Sequence, residues 1–145
     1  MEQRECHWGR RLAWVAGAFS AFLLSVGSAA GASRDVGAAE AATLIEARQG
    51  KADFAVLDLR TPKEFGEGRI AGAVMVDFLA PTFRQELANL DRGKTYLVYC
   101  RSGNRSRKAL AVLDELGFHD VVHLSRGIAQ WKEAGFPTVP GEGGR

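Results

Sequence analysis

One stretch of the chain joins a nucleophile to the means of activating it: Tyr99-Cys100-Arg101-Ser102-Gly103-Asn104-Arg105-Ser106. Cys100 stands directly after a strongly β-prone run, Thr95 to Tyr99, and a helical pattern begins near Arg105 or Ser106. The residues between must fold back on themselves, and Gly103 permits a tight loop because glycine tolerates positive φ. Backbone N–H groups in such a loop converge into an anion-binding nest. The helix N-terminus adds its own unpaired donors and a partial positive charge, and Arg101 and Arg105 add two full charges. Each feature favours a thiolate over a thiol. Cysteines in such surroundings titrate at about 3.5–7.5 instead of about 8.5, so Cys100 is expected to be substantially ionised at neutral pH. The plain alternative is an inert buried cysteine closing a strand, and the R-S-G-N-R-S run after it argues against that.

The elements that must hold this loop alternate. Ala38 to Gln49 reads as a helix ended by Gly50, and Phe54 to Leu59 as an apolar strand. Thr61 caps a short helical turn, with Pro62 at its first position and Glu64 placed to close a capping box. Ala73 to Val76 is a short strand and Pro81 to Leu90 a helix. Thr95 to Tyr99 is a strand and Arg105 to Leu116 a helix stopped by Gly117. Val121 to Leu124 is a strand, and Gly127 to Ala134 a final helix before Gly135 and Pro137. The strands are apolar without clean alternation, which suits a parallel sheet buried on both faces. Strands alternating with helices predict an α/β fold, a mostly parallel central sheet flanked by helices as a three-layer sandwich. Ligands in such folds bind beyond the carboxyl ends of the strands. Three segments end there with polar groups: Asp58-Leu59-Arg60, Cys100-Arg101-Ser102 and Ser125-Arg126-Gly127.

Composition bounds the class. The chain has 145 residues, 46% hydrophobic and 25% charged, as in an ordinary one-domain globular protein. A formal net charge of +2 gives no broad basic surface for nucleic acid. Residues 1–32 read as a cleaved signal peptide. Arg4, Arg10 and Arg11 precede the uncharged apolar run Leu12 to Val26, and Ala30-Gly31-Ala32 offers an A-x-A site with cleavage after Ala32. Cutting after Ala30 is nearly as good. The apolar run is shorter than the roughly 20 residues of a spanning helix, so export to the periplasm or medium, with no membrane attachment afterwards, is expected over an uncleaved membrane anchor. Cys6 would leave with the leader. The mature chain then keeps Cys100 alone, which cannot staple its own chain and is either inert or reactive.

Four motifs in order give the chain a specific resemblance: L-D-L-R-T-P-K-E-F at Leu57 to Phe65, G-R-I-A-G-A at Gly68 to Ala73, V-Y-C-R-S-G-N-R-S at Val98 to Ser106, and L-S-R-G-I-A-Q-W at Leu124 to Trp131. The chain resembles a single-domain rhodanese of the exported bacterial type over residues 36–139, leaving 140–145 as a flexible tail. The resemblance implies a sulfurtransferase working by double displacement. Cys100 takes the outer sulfur of an anionic donor such as thiosulfate as a persulfide and passes it to cyanide or a thiol. This is covalent catalysis needing no metal and no cofactor. It also implies that Arg101, Ser102, Gly103, Asn104 and Arg105 bind the transferred group through backbone amides. Asp58 and Arg60 would support the loop. Ser106 reads as a helix-start hydroxyl with no base assigned to it.

Two departures stand out. Arg69 occupies a position where the family commonly has histidine, and Arg126 one where it commonly has glycine. Arg126 is expected at the entrance, favouring anionic donors. Two other readings compete. One is a persulfide carrier that delivers sulfur to a specific protein partner, such as a redox protein. The other is a cysteine-dependent phosphatase or arsenate reductase, which the spacing disfavours: those enzymes use C-x5-R, and Cys100 to Arg105 is C-x4-R, a smaller cradle. His119 and His123 lack partners at ligand spacing and, like Trp131, read as structural residues.

Overall fold

A computed structural model describes residues 33–140. The expected leader, its cleavage sites, Cys6 and all of the expected tail except Pro140 lie outside the described residues.

The described chain forms five parallel strands and five helices. In chain order they are β1 (Arg34–Val36), α1 (Ala38–Arg48), β2 (Phe54–Asp58), α2 (Pro62–Gly66), β3 (Ala73–Met75), α3 (Phe83–Ala88), β4 (Thr95–Tyr99), α4 (Asn104–Glu115), β5 (Val121–Leu124) and α5 (Gly127–Glu133). The sheet order is β1-β5-β4-β2-β3, with every pairing parallel. β4 is therefore central, with β2 and β5 on either side.

Side-chain alternation along the strands separates two apolar layers. Val56, Leu97, Tyr99, Val122 and Leu124 pack with Ala41 and Ile45 of α1 and Ile128 and Trp131 of α5. Leu57, Tyr96, Val98 and Val121 pack with Phe83 and Leu87 of α3 and Ala109 and Leu113 of α4. The result is the expected three-layer α/β sandwich. In α1 the buried residues Ala38, Ala41 and Ile45 recur at helical spacing. The same spacing in α4 buries Ser106, Ala109 and Leu113. One member of that stripe is a hydroxyl, and this places Ser106 in the core against the sheet.

Two differences from the expected elements bear on the site. β1 was not expected: it is three residues long, only Val36 is buried, and a short edge strand carries almost no periodic signal. The helix after the cysteine starts at Asn104, because Gly103 takes the left-handed conformation at φ 93° and serves as its N-cap. Helix α3 is shorter than expected, since Thr82 is its N-cap and Asn89 its C-cap. The short turn after β2 closes the expected capping box, with Thr61 and Glu64 bonded reciprocally.

Candidate active site

Cys100 lies one residue past β4 and is 1% exposed. Gly103 N–H donates to its Sγ at 3.1 Å, and Ser106 Oγ lies 3.4 Å from the sulfur. Burial pushes the thiol up, but the Ser106 hydroxyl and the amides of Ser106, Ser102 and Gly103 outweigh it, so the pKa falls below that of a free cysteine. The donors that win are neutral dipoles fixed by the loop and the first turn of α4.

The loop is locked from behind by the segment after β5. Ile128 N–H donates to Cys100 O at 2.9 Å and Ala129 N–H to Arg101 O at 3.1 Å. A Cβ on Gly103 would stand 1.9 Å from Ser125 O, and one on Gly127 would stand 2.4 Å from Cys100 O. Glycine at 127 is thus set by the close approach of two backbones.

The arginines of the loop divide. Arg101 is exposed and lines a cleft of about 310 Å³ with Arg60, Glu64, Glu67, Ile128, Ala129 and Lys132. Arg105 is held instead by both oxygens of Glu64, at 2.8 and 2.7 Å. Glu64 Oε2 also accepts from Thr61 N–H and Thr61 Oγ. The Arg105 hydrogen bonds, joined by those of Thr61, outweigh burial and pull the Glu64 carboxyl down to about 2. One glutamate therefore caps α2 and ties α2 to the cysteine loop. Ser102 and Asn104 have exposed side chains, and Gly103 is buried.

Asp58 and Arg60 form a buried pair beside this loop. Arg60 Nη2 donates to Asp58 Oδ2 at 2.6 Å and to Gly68 O at 2.8 Å. Tyr99 O–H donates to the same carboxylate at 2.6 Å and accepts from Ile70 N–H at 3.2 Å. Burial, reinforced by the Asp58 charge, raises the Tyr99 phenol. The support given by this pair reaches Tyr99 and the Gly68–Ile70 turn; no hydrogen bond joins either residue to the cysteine loop itself. Arg60 also forms a wall of the cleft.

Arg126 was expected to add positive charge at the entrance. It is exposed, reaches Glu133 at 3.5 Å along α5 and is not among the residues lining the cleft. The cations that do line the cleft are Arg60, Arg101 and Lys132. Lys132 was missed because it lies five residues past Gly127, and only the helical path of α5 turns it to the opening.

His123 was also missed. It is fully buried, and its Nε2 stands 2.8 Å from Ser106 Oγ. Its Nδ1 stands 2.8 Å from Asp35 Oδ1, and Arg107 donates to Asp35 Oδ2 at 3.0 Å. A histidine inside an apolar strand beside a helix with a serine in its first turn was the available signal, but its partner Asp35 sits on the strand that the sequence concealed. His119 takes no part in these contacts.

A parallel sandwich with a buried cysteine under an amide-lined loop at the end of its central strand defines the class. The chain belongs to the rhodanese-like domain family, whose model matches residues 39–134. It is 39% identical over 99 residues to an uncharacterized protein of Synechocystis, covering 67% of this chain and 52% of that one. The match thus spans about half the length of that relative. It is 34% identical to a sulfurtransferase of Allochromatium vinosum, covering 63% of this chain and 83% of that one. The crystal structure of a rhodanese-related protein from Thermoplasma volcanium superposes with a TM-score of 0.63 at 34% identity, covering 73% of this chain and 97% of that one.

Proposed function

We propose that the protein is a rhodanese-type sulfurtransferase in which Cys100 carries the sulfur. The observation that supports this best is Sγ met by the neutral donors of its own loop, whose next residue, Arg101, lines a cleft with Arg60 and Lys132. Arg60 is already paired with Asp58 and Glu64 with Arg105, which leaves Arg101 and Lys132 against Glu67; an anionic donor such as thiosulfate suits the two cations. The Cys100 thiolate attacks its outer sulfur, an S–S bond forms, and sulfite leaves with the electron pair of the broken bond. Cyanide or a thiolate then attacks the outer sulfur of the persulfide, and the Cys100 thiolate departs as the leaving group. The same loop donors serve the charge in both halves.

The phosphatase reading loses the arginine its motif would use, since Glu64 holds the Arg105 guanidinium through both terminal nitrogens. An exported location is part of the proposal and rests on the leader-like sequence alone. Mass spectrometry after incubation with thiosulfate tests the function. The expected result is one added sulfur on Cys100, lost on adding cyanide or a small thiol. No adduct with any sulfane donor refutes it, and an adduct stable to small acceptors but discharged by a protein thiol replaces it with the carrier reading.

A further inference from the structure

Behind the nucleophile runs an unbroken line of hydrogen-bonding groups: Cys100 Sγ, Ser106 Oγ at 3.4 Å, His123 Nε2 at 2.8 Å from that hydroxyl, and Asp35 Oδ1 at 2.8 Å from Nδ1. Three separate elements, β1, α4 and β5, converge to build it. We propose that Ser106, His123 and Asp35 form a proton relay that receives the Cys100 proton, so that the nucleophile ionises as a thiolate–imidazolium pair joined through a serine hydroxyl. The proposal rests on the reading of Cys100 as the nucleophile and adds the internal base that reading lacks.

Donor and acceptor counting gives the mechanism. Ser106 has one hydroxyl proton, and the Asp35 carboxylate can only accept. A carboxylate against Nδ1 fixes a proton there. Neutral His123 then has a bare Nε2, which takes the serine proton, and Ser106 has none to give the sulfur. Transfer proceeds in one concerted shift. The S–H bond breaks and its proton bonds to Ser106 Oγ, while the original serine proton bonds to His123 Nε2. The hydroxyl is regenerated, one proton has moved from sulfur to imidazole, and the electron pair stays on sulfur. Nε2–H now donates to Ser106, which frees the serine hydroxyl to donate. Gly103 O lies 3.1 Å from that hydroxyl, but the anionic sulfur is the stronger acceptor.

The surroundings suit the charged pair. Asp35 is held below its ordinary value, first by its bond to His123, with burial opposing and Arg107 assisting. The charged groups facing His123 are Asp35 on β1 and, beyond it, Arg107 on α4; its β4 neighbour is the apolar Val98. Ser106 touches the sulfur, whereas His123 and Asp35 act through it as positioning residues.

Two readouts test this without using turnover. In the wild-type protein, nitrogen NMR of the imidazole should show His123 doubly protonated where Cys100 is ionised, and Cys100→Ser should remove that form at the same pH. A neutral His123 beside a Cys100 thiolate overturns the proposal. Iodoacetamide alkylation of Cys100 is the second readout. At a pH about one unit below the wild-type midpoint, Ser106→Ala and His123→Gln should each slow it about tenfold, with the double variant no slower than the single ones. Asp35→Asn, at a half-exposed position, should shift the midpoint in the same direction. An unmoved midpoint in a folded His123→Gln overturns the relay, and if the buried variants fail to fold the wild-type NMR decides. Persulfide formation is scored separately: coupled titration without a persulfide retains the relay and removes the sulfur-transfer reading, and a persulfide with uncoupled titration does the reverse.

Discussion

Replacing Gly127 by alanine tests whether the cysteine loop is held by the approach of two backbones. Gly127 has φ 61°, and its new Cβ would lie 2.4 Å from Cys100 O and 2.6 Å from Arg101 O. Real Cβ contacts stay beyond 3.0 Å, so the loop and α5 must separate by at least the difference, 0.6 Å. Gly50 supplies the control, because it too has positive φ (82°) but meets nothing within 4 Å. Gly50→Ala should therefore cost only the left-handed penalty, about 1–2 kcal/mol. Gly127→Ala carries that penalty and also strains the bonds from Ile128 N–H to Cys100 O and from Ala129 N–H to Arg101 O. At about 1 kcal/mol for each bond, the total is about 3–4 kcal/mol. Urea unfolding with unchanged m-values measures both variants. Under native conditions the displaced Cys100 should also lose about a hundredfold in persulfide formation, since misplacement of order 1 Å costs that much, while Gly50→Ala reacts normally. Equal unfolding costs for the two variants would refute the reasoning, because the close approach would then be relieved without consequence.

Charge in the cleft should follow the structure and not the expectation from sequence. Lys132→Ala or Arg101→Ala should raise the KM for thiosulfate about threefold to fivefold and flatten its salt dependence, as loss of about 1 kcal/mol implies; Arg126→Gly should change neither. The Glu64 carboxyl, at about 2 in the folded protein against 4.5 ordinarily, binds fewer protons folded than unfolded. Its contribution is complete above pH 4.5 and fades as pH falls toward 2. Glu64→Gln should remove about 1–3 kcal/mol at neutral pH and flatten chemical-denaturation stability across that window; an unchanged slope would remove the Arg105 pair from the account. Tyr99→Phe leaves Ile70 N–H without its buried acceptor and should cost about 1–3 kcal/mol in thermal or urea unfolding. Asp58→Asn breaks the buried pair with Arg60 and should cost about 3–5 kcal/mol; a loss under 1 kcal/mol would show the Arg60 charge relieved some other way.

What the sequence made legible was whatever local chemistry dictates. The strand of Thr95 to Tyr99, the cysteine directly after it, the Gly103 turn and the Thr61–Glu64 capping box are each written in a few contiguous residues, and the structure places them together. The groups that fold-back alone assembles were not legible. Asp35 and His123 are 88 positions apart and meet only because β1 pairs with β5 in register. Glu64 and Arg105 are 41 positions apart, and nothing in a capping box announces that its glutamate has a second partner. Arg126 shows the converse case. Its place beside the loop was visible, but not that its exposed guanidinium lies 3.5 Å from Glu133 on α5.

The distribution of charge around Cys100 separates two tasks that a row of loop arginines would merge. If Arg105 stabilised the thiolate directly, the cation would have to be free, yet Glu64 neutralises it in a two-pronged pair. Sγ is met instead by Gly103 N–H and the Ser106 hydroxyl, with no formal charge in hydrogen-bond contact. Dipoles fixed by backbone geometry in a buried place are screened little by salt, whereas exposed cations such as Arg101 and Lys132 are screened strongly. Ionisation of Cys100 and the proposed capture of an anionic donor therefore draw on different physical resources. In the proposed function a Cys100 persulfide would carry its charge one atom farther out than the thiolate does. The Ser102, Gly103 and Ser106 amides that lower the Cys100 thiol are fixed by the loop and the first turn of α4, and would meet that charge without first being ordered.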